Sequence, residues 1–256
     1  MSKLEIHQIP VLNDNYLYLF KDPDSDAVGI IDPAEAEPVQ NKLTELGWTL
    51  THIVNTHHHW DHTGANLELK EKTGCLVVGS KSDASRIPGI DLELSDGDIF
   101  EFGTQKAKVF EVSGHTVGHI AYWFEHSDAL FCGDTLFALG CGRLFEGSPA
   151  QMWDSLKKLL VLPDDTKVYC AHEYTEANAH FAITVDPKNA ALMKRFDKIL
   201  ALRAKNIPTV PSTIGDEKAT NPFLRPDSPT IREELGMVGS DDVSVFAEIR
   251  HRKDTF

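Results

Sequence analysis

The sequence predicts a layered α/β fold that gives way to a smaller helical piece at its carboxy-terminal end. Two patterns carry this reading. Over the first two-thirds, short apolar runs alternate with turn residues and amphipathic stretches. After about Tyr174 strand signals nearly vanish and apolar residues recur at helical spacing. Composition agrees, with 41% hydrophobic and 25% charged residues, ordinary values for a soluble globular chain. At 256 residues the chain suits one large domain, or one domain with an appendage.

In order, residues 17–20 and 28–31 read as strands joined by a polar turn around Asp22 and Asp26. Residues 38–46 read as a helix stopped by Gly47. A short strand is expected at 52–55, a helix at 64–72 ended by Gly74, and a strand at 76–78. Strands at 99–102, 107–112, 120–124 and 130–132 form a strand-rich middle. Residues 151–160 should be helical, with Ser148 as N-cap and Pro149 in the first turn. A strand at 168–170 closes this part. Helices are then expected at 177–183, 190–205, 230–235 and 243–250. A boundary near 173–176 divides a domain spanning 1–173 from a helical one spanning 174–256. No internal repeat is visible.

Formal net charge is −14, which repels phosphate backbones and argues against nucleic acid as a partner. No apolar stretch approaches the ~20 residues needed to span a bilayer, and the amino terminus lacks the apolar core of a signal peptide. None of Cys75, Cys132, Cys141 and Cys170 forms a CxxC pair. Cys132 and Cys170 lie in apolar runs and read as buried small hydrophobes. These features fit a reducing cytoplasm. Oligomeric state is not legible, and a monomer is the working expectation.

The decisive stretch is Thr56-His57-His58-His59-Trp60-Asp61-His62. In extended backbone, residues two apart point the same way, so His57 and His59 can aim at one point. Asp61 and His62 fall where the chain turns into a helix and can aim at a second. Four imidazoles and a carboxylate so close together are mutually repulsive if protonated and poorly solvated if buried. A metal resolves that conflict, because neutral imidazole is a natural ligand. Three further candidates sit at strand-to-loop junctions: His115 after Gly114, Asp134 after Cys132-Gly133, and His172 after Cys170-Ala171. Any one of these alone would be a weak signal.

The run Thr56–His62, the Gly114-His115 turn, Cys132-Gly133-Asp134 and His172 together resemble the metallo-β-lactamase superfamily, whose signature reads THxHxDH. The resemblance covers essentially the whole chain. It implies a four-layer αββα sandwich with metals at one edge, followed here by the helical domain. It further implies that His57, His59 and His115 bind one metal, that Asp61, His62 and His172 bind a second, and that Asp134 and a water or hydroxide bridge them. Asp61 and Asp134 are thereby the expected catalytic carboxylates. His58 and His119 are not ligands in the pattern. His58 reads as outer or exposed, and His119 as a structural hydrogen-bonding group. Two divalent cations per chain are expected, zinc first, with iron or manganese also compatible with such ligands.

Two such cations lower the pKa of a shared water toward neutrality and polarise a carbonyl. Lactams, phosphodiesters, esters and thioesters all suit that chemistry. A thiolate, of pKa near ~8.5, can leave as the anion, whereas an amine must be protonated. No separate acid motif is visible, which favours a thioester. Arg250-His251-Arg252-Lys253 is a basic knot in an acidic chain. Arg250 and Lys253, three apart, share a helix face and suit a carboxylate-bearing ligand; cations complementing a helix dipole are the alternative.

Cys141-Gly142-Arg143-Leu144-Phe145-Glu146-Gly147, Ala171-His172-Glu173-Tyr174-Thr175, Asn221-Pro222-Phe223-Leu224-Arg225 and the Arg250/Lys253 pair are similar to the hydroxyacylglutathione hydrolase, or glyoxalase II, family. That likeness implies hydrolysis of the small-molecule thioester S-D-lactoylglutathione to D-lactate and glutathione, the second step of methylglyoxal detoxification. It implies that Arg143, Tyr174, Arg250 and Lys253 contact the glutathione moiety. Phe145 departs from relatives with tyrosine there, and Arg143 stands where some have lysine. Asn13-Asp14-Asn15-Tyr16 is also family-like and reads as a turn that buttresses the site. Rival expectations are a lactonase or phosphodiesterase on the same metals, a single-iron persulfide dioxygenase, and a non-enzymatic metal-binding module.

Overall fold

The computed structural model describes residues 2–256. They form two compact units, residues 2–111 with Val117–Gly133, and Val112–Thr116 with Asp134–Phe256.

The first unit contains β1 (Glu5–Val11), β2 (Asn15–Lys21), β3 (Val28–Ile31), α1 (Ala36–Leu46), β4 (His52–Val54), α2 (Trp60–Thr63), α3 (Asn66–Thr73), β5 (Leu76–Ser80) and β6 (Leu92–Leu94). Then come β7 (Ile99–Phe102), β8 (Gln105–Glu111), β9 (Ile120–Phe124) and β10 (Ala129–Gly133). The first six strands make one sheet in chain order. β1, β2 and β3 pair antiparallel, and β3 to β6 run parallel. On one face Leu17, Leu19, Ile30, Ile53 and Val77 pack with Val39 and Leu43 of α1 and Leu69 of α3. Alternation puts Phe20 on the other face, against Phe102, Phe124 and Phe131 of the antiparallel ribbon β7–β10. Helices, sheet and sheet thus stack in the expected order within this unit.

Helix ends follow local chemistry. Gly47 closes α1 in the left-handed conformation, its N–H on the carbonyls of Leu43 and Thr44. The expected helix at 64–72 begins instead at Asn66, after the separate turn α2. Gly64 lies where a Cβ would come 2.7 Å from the Ala34 carbonyl oxygen and 2.8 Å from that of Trp60. Strands β1 and β6 were not expected. β1 is an edge strand that carries Pro10 and buries few side chains, so its alternation is weak.

The second unit holds β11 (Leu136–Phe137), β12 (Gly140–Cys141), α4 (Pro149–Leu160), β13 (Lys167–Cys170), α5 (Thr175–Val185), α6 (Ala190–Arg203), β14 (Ser212–Thr213), α7 (Ile214–Thr220), α8 (Pro229–Leu235) and α9 (Asp242–Asp254). Ser148 and Gln151 form the capping box of α4. Asn189 caps α6, and Asp241 caps α9. Leu139, Ala179, Ala182, Leu192 and Ile199 make a core between α5 and α6. Trp153 of α4 stacks on Phe246 of α9 at 6.2 Å. Among the described residues, no helix is long and apolar enough to cross a membrane.

Candidate metal centre

Parallel strands β3 and β4 end side by side, and the first cluster grows from their carboxy-terminal ends. Asp32, directly after β3, sits at φ 48° and is 1% exposed. Its carboxylate accepts from Thr56 N at 2.7 Å and from Thr56 Oγ1 at 2.6 Å. His62 Nδ1 lies 3.0 Å from the same carboxylate. Thr56 Oγ1 spends its one proton on Asp32, so at 3.0 Å it accepts from His57 Nδ1. A carboxylate only accepts, so His62 also donates through Nδ1. Both rings therefore turn an Nε2 lone pair away from their anchors, the tautomer a cation needs.

The rings of His57 and His62 lie 4.1 Å apart. His59 Nδ1 is 3.0 Å from His57 Nε2. Asp61 Oδ2 lies 3.4 Å from His62 Nε2 and accepts from Asn15 Nδ2 at 3.1 Å. Within the Asn13–Tyr16 segment, Asn15 is the residue that makes this contact. His119 stacks flat on His57 at 4.6 Å. Gly133 makes the crowding possible: at φ 47°, a Cβ would fall 2.2 Å from Thr56 Oγ1.

The second unit assembles His115, Asp134 and His172, each 4–6% exposed. His115 Nδ1 donates to the Arg143 carbonyl at 2.8 Å, which again leaves Nε2 as the lone-pair atom. Asp134 turns one oxygen to each ring, Oδ2 to His115 Nε2 and Oδ1 to His172 Nε2, both at 3.4 Å. A carboxylate so divided suits sharing between two cations. Gly142 passes close beneath, where a Cβ would come 2.0 Å from the Asp134 carbonyl oxygen. Tyr174, at the start of α5, stacks on His172 at 4.7 Å with rings 2° apart.

Arg143, Arg250 and Lys253 belong to this unit too. Arg143 is exposed, 6.0 Å over Phe145, whose ring lies 5.1 Å from His115. Lys253 reaches the Ala177 carbonyl at 3.3 Å and sits over Phe181 and Phe256. Burial pushes its pKa below the usual lysine value, and the charges of Arg250 and then Arg143 push it further, against the opposing pull of Asp254. Arg250 is only 6% exposed. Its guanidinium donates to the Cys141 carbonyl at 2.9 Å, pairs with Asp254 at 2.8 Å and covers Phe223. Arg250 is therefore also a strut between α9 and β12, which sequence spacing does not reveal.

The chain matches the family model "Metallo-beta-lactamase superfamily" over residues 14–172 and "Hydroxyacylglutathione hydrolase C-terminus" over residues 173–256. A curated hydroxyacylglutathione hydrolase of Methylococcus capsulatus is 60% identical over 253 residues, 99% of each chain. That of Rhodospirillum rubrum is 57% identical across the full length of both. The chain belongs to the hydroxyacylglutathione hydrolase family. Among solved structures, ETHE1 from Myxococcus xanthus superposes with a TM-score of 0.69 at 28% identity, over 96% of this chain and 90% of its own. The fold is that of the metallo-β-lactamases, as the sequence predicts.

Two carboxylates of this hydroxyacylglutathione hydrolase family member escaped sequence reading. Asp32 follows an apolar strand, as Asp134 does, and that shared context was the available signal. Asp83 is 1% exposed, pairs with Arg86, and lies 2.8 Å from His58 Nδ1. His58 is thereby held through Nδ1 on Asp83, with its ring 4.9 Å from that of His59.

Proposed function

We propose that this chain hydrolyses the thioester of S-(2-hydroxyacyl)glutathiones, S-D-lactoylglutathione foremost, releasing glutathione and D-lactate in the cytoplasm. The observation that carries the reading is the anchoring of His57, His62 and His115 through Nδ1, which leaves Nε2 as the lone-pair atom of each ring, beside His59, Asp61 and Asp134 respectively. Imidazole and carboxylate donors of this kind fit divalent cations. His57, His59 and His115 would hold one, Asp61, His62 and His172 another, with Asp134 shared. Zinc is the first choice, and iron or manganese suits the same donors. When bound, such a pair supplies Lewis acidity and makes water acidic enough to ionise near neutral pH.

The protein's own groups do the rest. Asp134 and Asp61 set the charge of the centre, and Asn15 orients Asp61. The ring of Tyr174 lines the approach beside His172. Arg143, Lys253 and, more deeply, Arg250 form a cationic patch suited to a peptide carboxylate of glutathione. We assign catalysis to residues 1–173 and the grip on glutathione mainly to 174–256. The departing thiol, of ordinary pKa near ~8.5, leaves as thiolate without a proton donor.

Turnover of S-D-lactoylglutathione measured beside a lactone and a phosphodiester tests the assignment. Good activity on either alternative with no thioester cleavage would overturn it. Elemental analysis finding a single iron would point to the dioxygenase reading instead.

Stripping divalent ions with a strong chelator is expected to abolish turnover while far-UV circular dichroism stays unchanged, because Asp32, Thr56 and the Arg143 carbonyl already hold the imidazoles. Added zinc, iron or manganese should restore the rate. Loss of helix and sheet signal on chelation would instead mark a structural site.

Lys253→Met is expected to raise KM about tenfold with little change in kcat, as loss of a charged contact worth roughly 1.5 kcal/mol would do. The pH dependence has a defined sign. Lys253 loses its proton below the ordinary value of 10.5, so KM should climb at alkaline pH earlier than for a normal lysine. A steady-state KM profile checks this, and the climb should be absent in the Met variant.

A further inference from the structure

The hairpin of β11 and β12 turns through Ala138 and Leu139, and Leu139 sits in the left-handed region at φ 59°. That conformation is unfavourable for leucine, so the surroundings must hold it. Side chains of the later helices take the turn's backbone groups. Asn178 Nδ2 of α5 donates to the Ala138 carbonyl at 3.1 Å. Its amide lies so close that a Cβ on Gly140 would fall 2.5 Å from it. Asn221 Nδ2, directly after α7, donates to the carbonyls of Gly140 at 3.0 Å and Phe137 at 3.2 Å. The Glu217 carboxylate of α7 accepts from Leu139 N at 2.8 Å and from Asn221 Nδ2 at 3.0 Å. Arg195 of α6 neutralises that carboxylate at 2.6 Å. Glu217 and Asn221 are fully buried. A buried ion pair is weak evidence for stability, and here the carboxylate serves a backbone amide of the turn.

Both arms of the hairpin lead into the metal centre. Asp134 stands just before β11. Arg143, whose carbonyl holds His115 Nδ1 at 2.8 Å, stands just after β12. The arms stay joined beyond the strands, where Gly142 N donates to the Thr135 carbonyl at 3.2 Å. Phe137 of β11 meets the rings of His172 at 5.9 Å and Tyr174 at 5.3 Å, edge-on. One hairpin thus carries or touches each second-unit residue expected at the metals.

We propose that Asn178, Glu217 and Asn221 clamp this hairpin and act as positioning residues for the metal centre. By fixing the turn from Phe137 to Gly140, they fix where Asp134 and the Arg143 carbonyl stand, and so how His115 and His172 meet the cations. The proposal rests on the metal-centre part of the functional reading and is independent of which thioester is cleaved.

Chelator competition on the full-length, zinc-loaded protein tests it, together with the visible absorption of the cobalt(II)-substituted protein, which reports ligand geometry. Asn178→Ala removes one contact with the turn and is expected to weaken zinc about threefold, the scale of a single hydrogen bond. Glu217→Gln leaves one acceptor oxygen for Leu139 N, Asn221 and Arg195. It should weaken zinc about tenfold, the low end for losing a group that orients metal ligands. Both variants should shift the cobalt spectrum. Asp186 is the control: it is equally buried in the same unit, and it binds Arg225, Asn189 and Thr230 rather than the hairpin. Asp186→Asn should lower Tm yet leave zinc affinity and the cobalt spectrum native. Should Glu217→Gln fail to fold, Asn178→Ala alone decides. Native zinc affinity and cobalt spectrum in the clamp variants, or an equal loss in Asp186→Asn, would overturn the clamp and leave the metal centre standing. A wild-type protein that binds no zinc, iron or manganese would overturn both.

Discussion

Asp134→Ala is expected to lower kcat/KM for S-D-lactoylglutathione by about 10³-fold and to release at least one cation per chain. The carboxylate faces two imidazoles, His115 and His172, from separate oxygens at 3.4 Å each. Alanine removes the one negative charge shared between them. Losing several kcal/mol of charge stabilisation amounts to roughly three decades at about 1.4 kcal/mol per decade. Asp134→Asn keeps the shape and loses the charge, so it separates electrostatics from packing and should behave nearly as badly. Steady-state kinetics with elemental analysis of the purified variants checks both. An unchanged metal content and rate would remove Asp134 from the centre.

Asp32→Asn is expected to cut metal affinity about 10- to 100-fold, the usual cost of losing a partner that orients a metal-binding histidine. The native carboxylate collects three donors, Thr56 N, Thr56 Oγ1 and His62 Nδ1. An amide has a single acceptor oxygen, and its NH2 would face donors. One buried group is left unsatisfied, at about 1–3 kcal/mol. Asparagine tolerates the left-handed backbone at φ 48°, so the backbone itself should be preserved. Asp32→Ala lacks that tolerance and should lower Tm further. Chelator competition reads the metal affinity, and thermal melts read the stability. Native affinity in Asp32→Asn would refute the anchoring role.

Much of the site was legible because its chemistry is local in sequence. The His57–His62 run carries four imidazoles and a carboxylate in a strand-to-helix turn, and the structure holds His57 and His62 through Nδ1, on Thr56 and Asp32. Helix α4 was readable through Ser148, Pro149 and Gln151, which act within one turn. What escaped depends on tertiary placement. Asp32 matters only because β3 and β4 are parallel neighbours, which sets it beside Thr56. Asp83 reaches His58, 25 residues earlier in the chain, besides its local pair with Arg86. The inward turn of Arg250 is invisible to helical spacing, since its partner Cys141 lies 109 residues away. Strand β1 escaped because an edge strand carrying Pro10 buries too little to alternate clearly.

The two compact units interleave along the chain, since Val112–Thr116 belongs with the later segment while its flanks belong with the earlier one. No single cut yields both as intact pieces. A fragment ending at residue 173 would keep His115, Asp134 and His172 but lose α5 to α9, and with them most of the helices of the second unit. Excising the helical portion would therefore cut through the second unit and strand His115, Asp134 and His172 without most of the helices that belong with them.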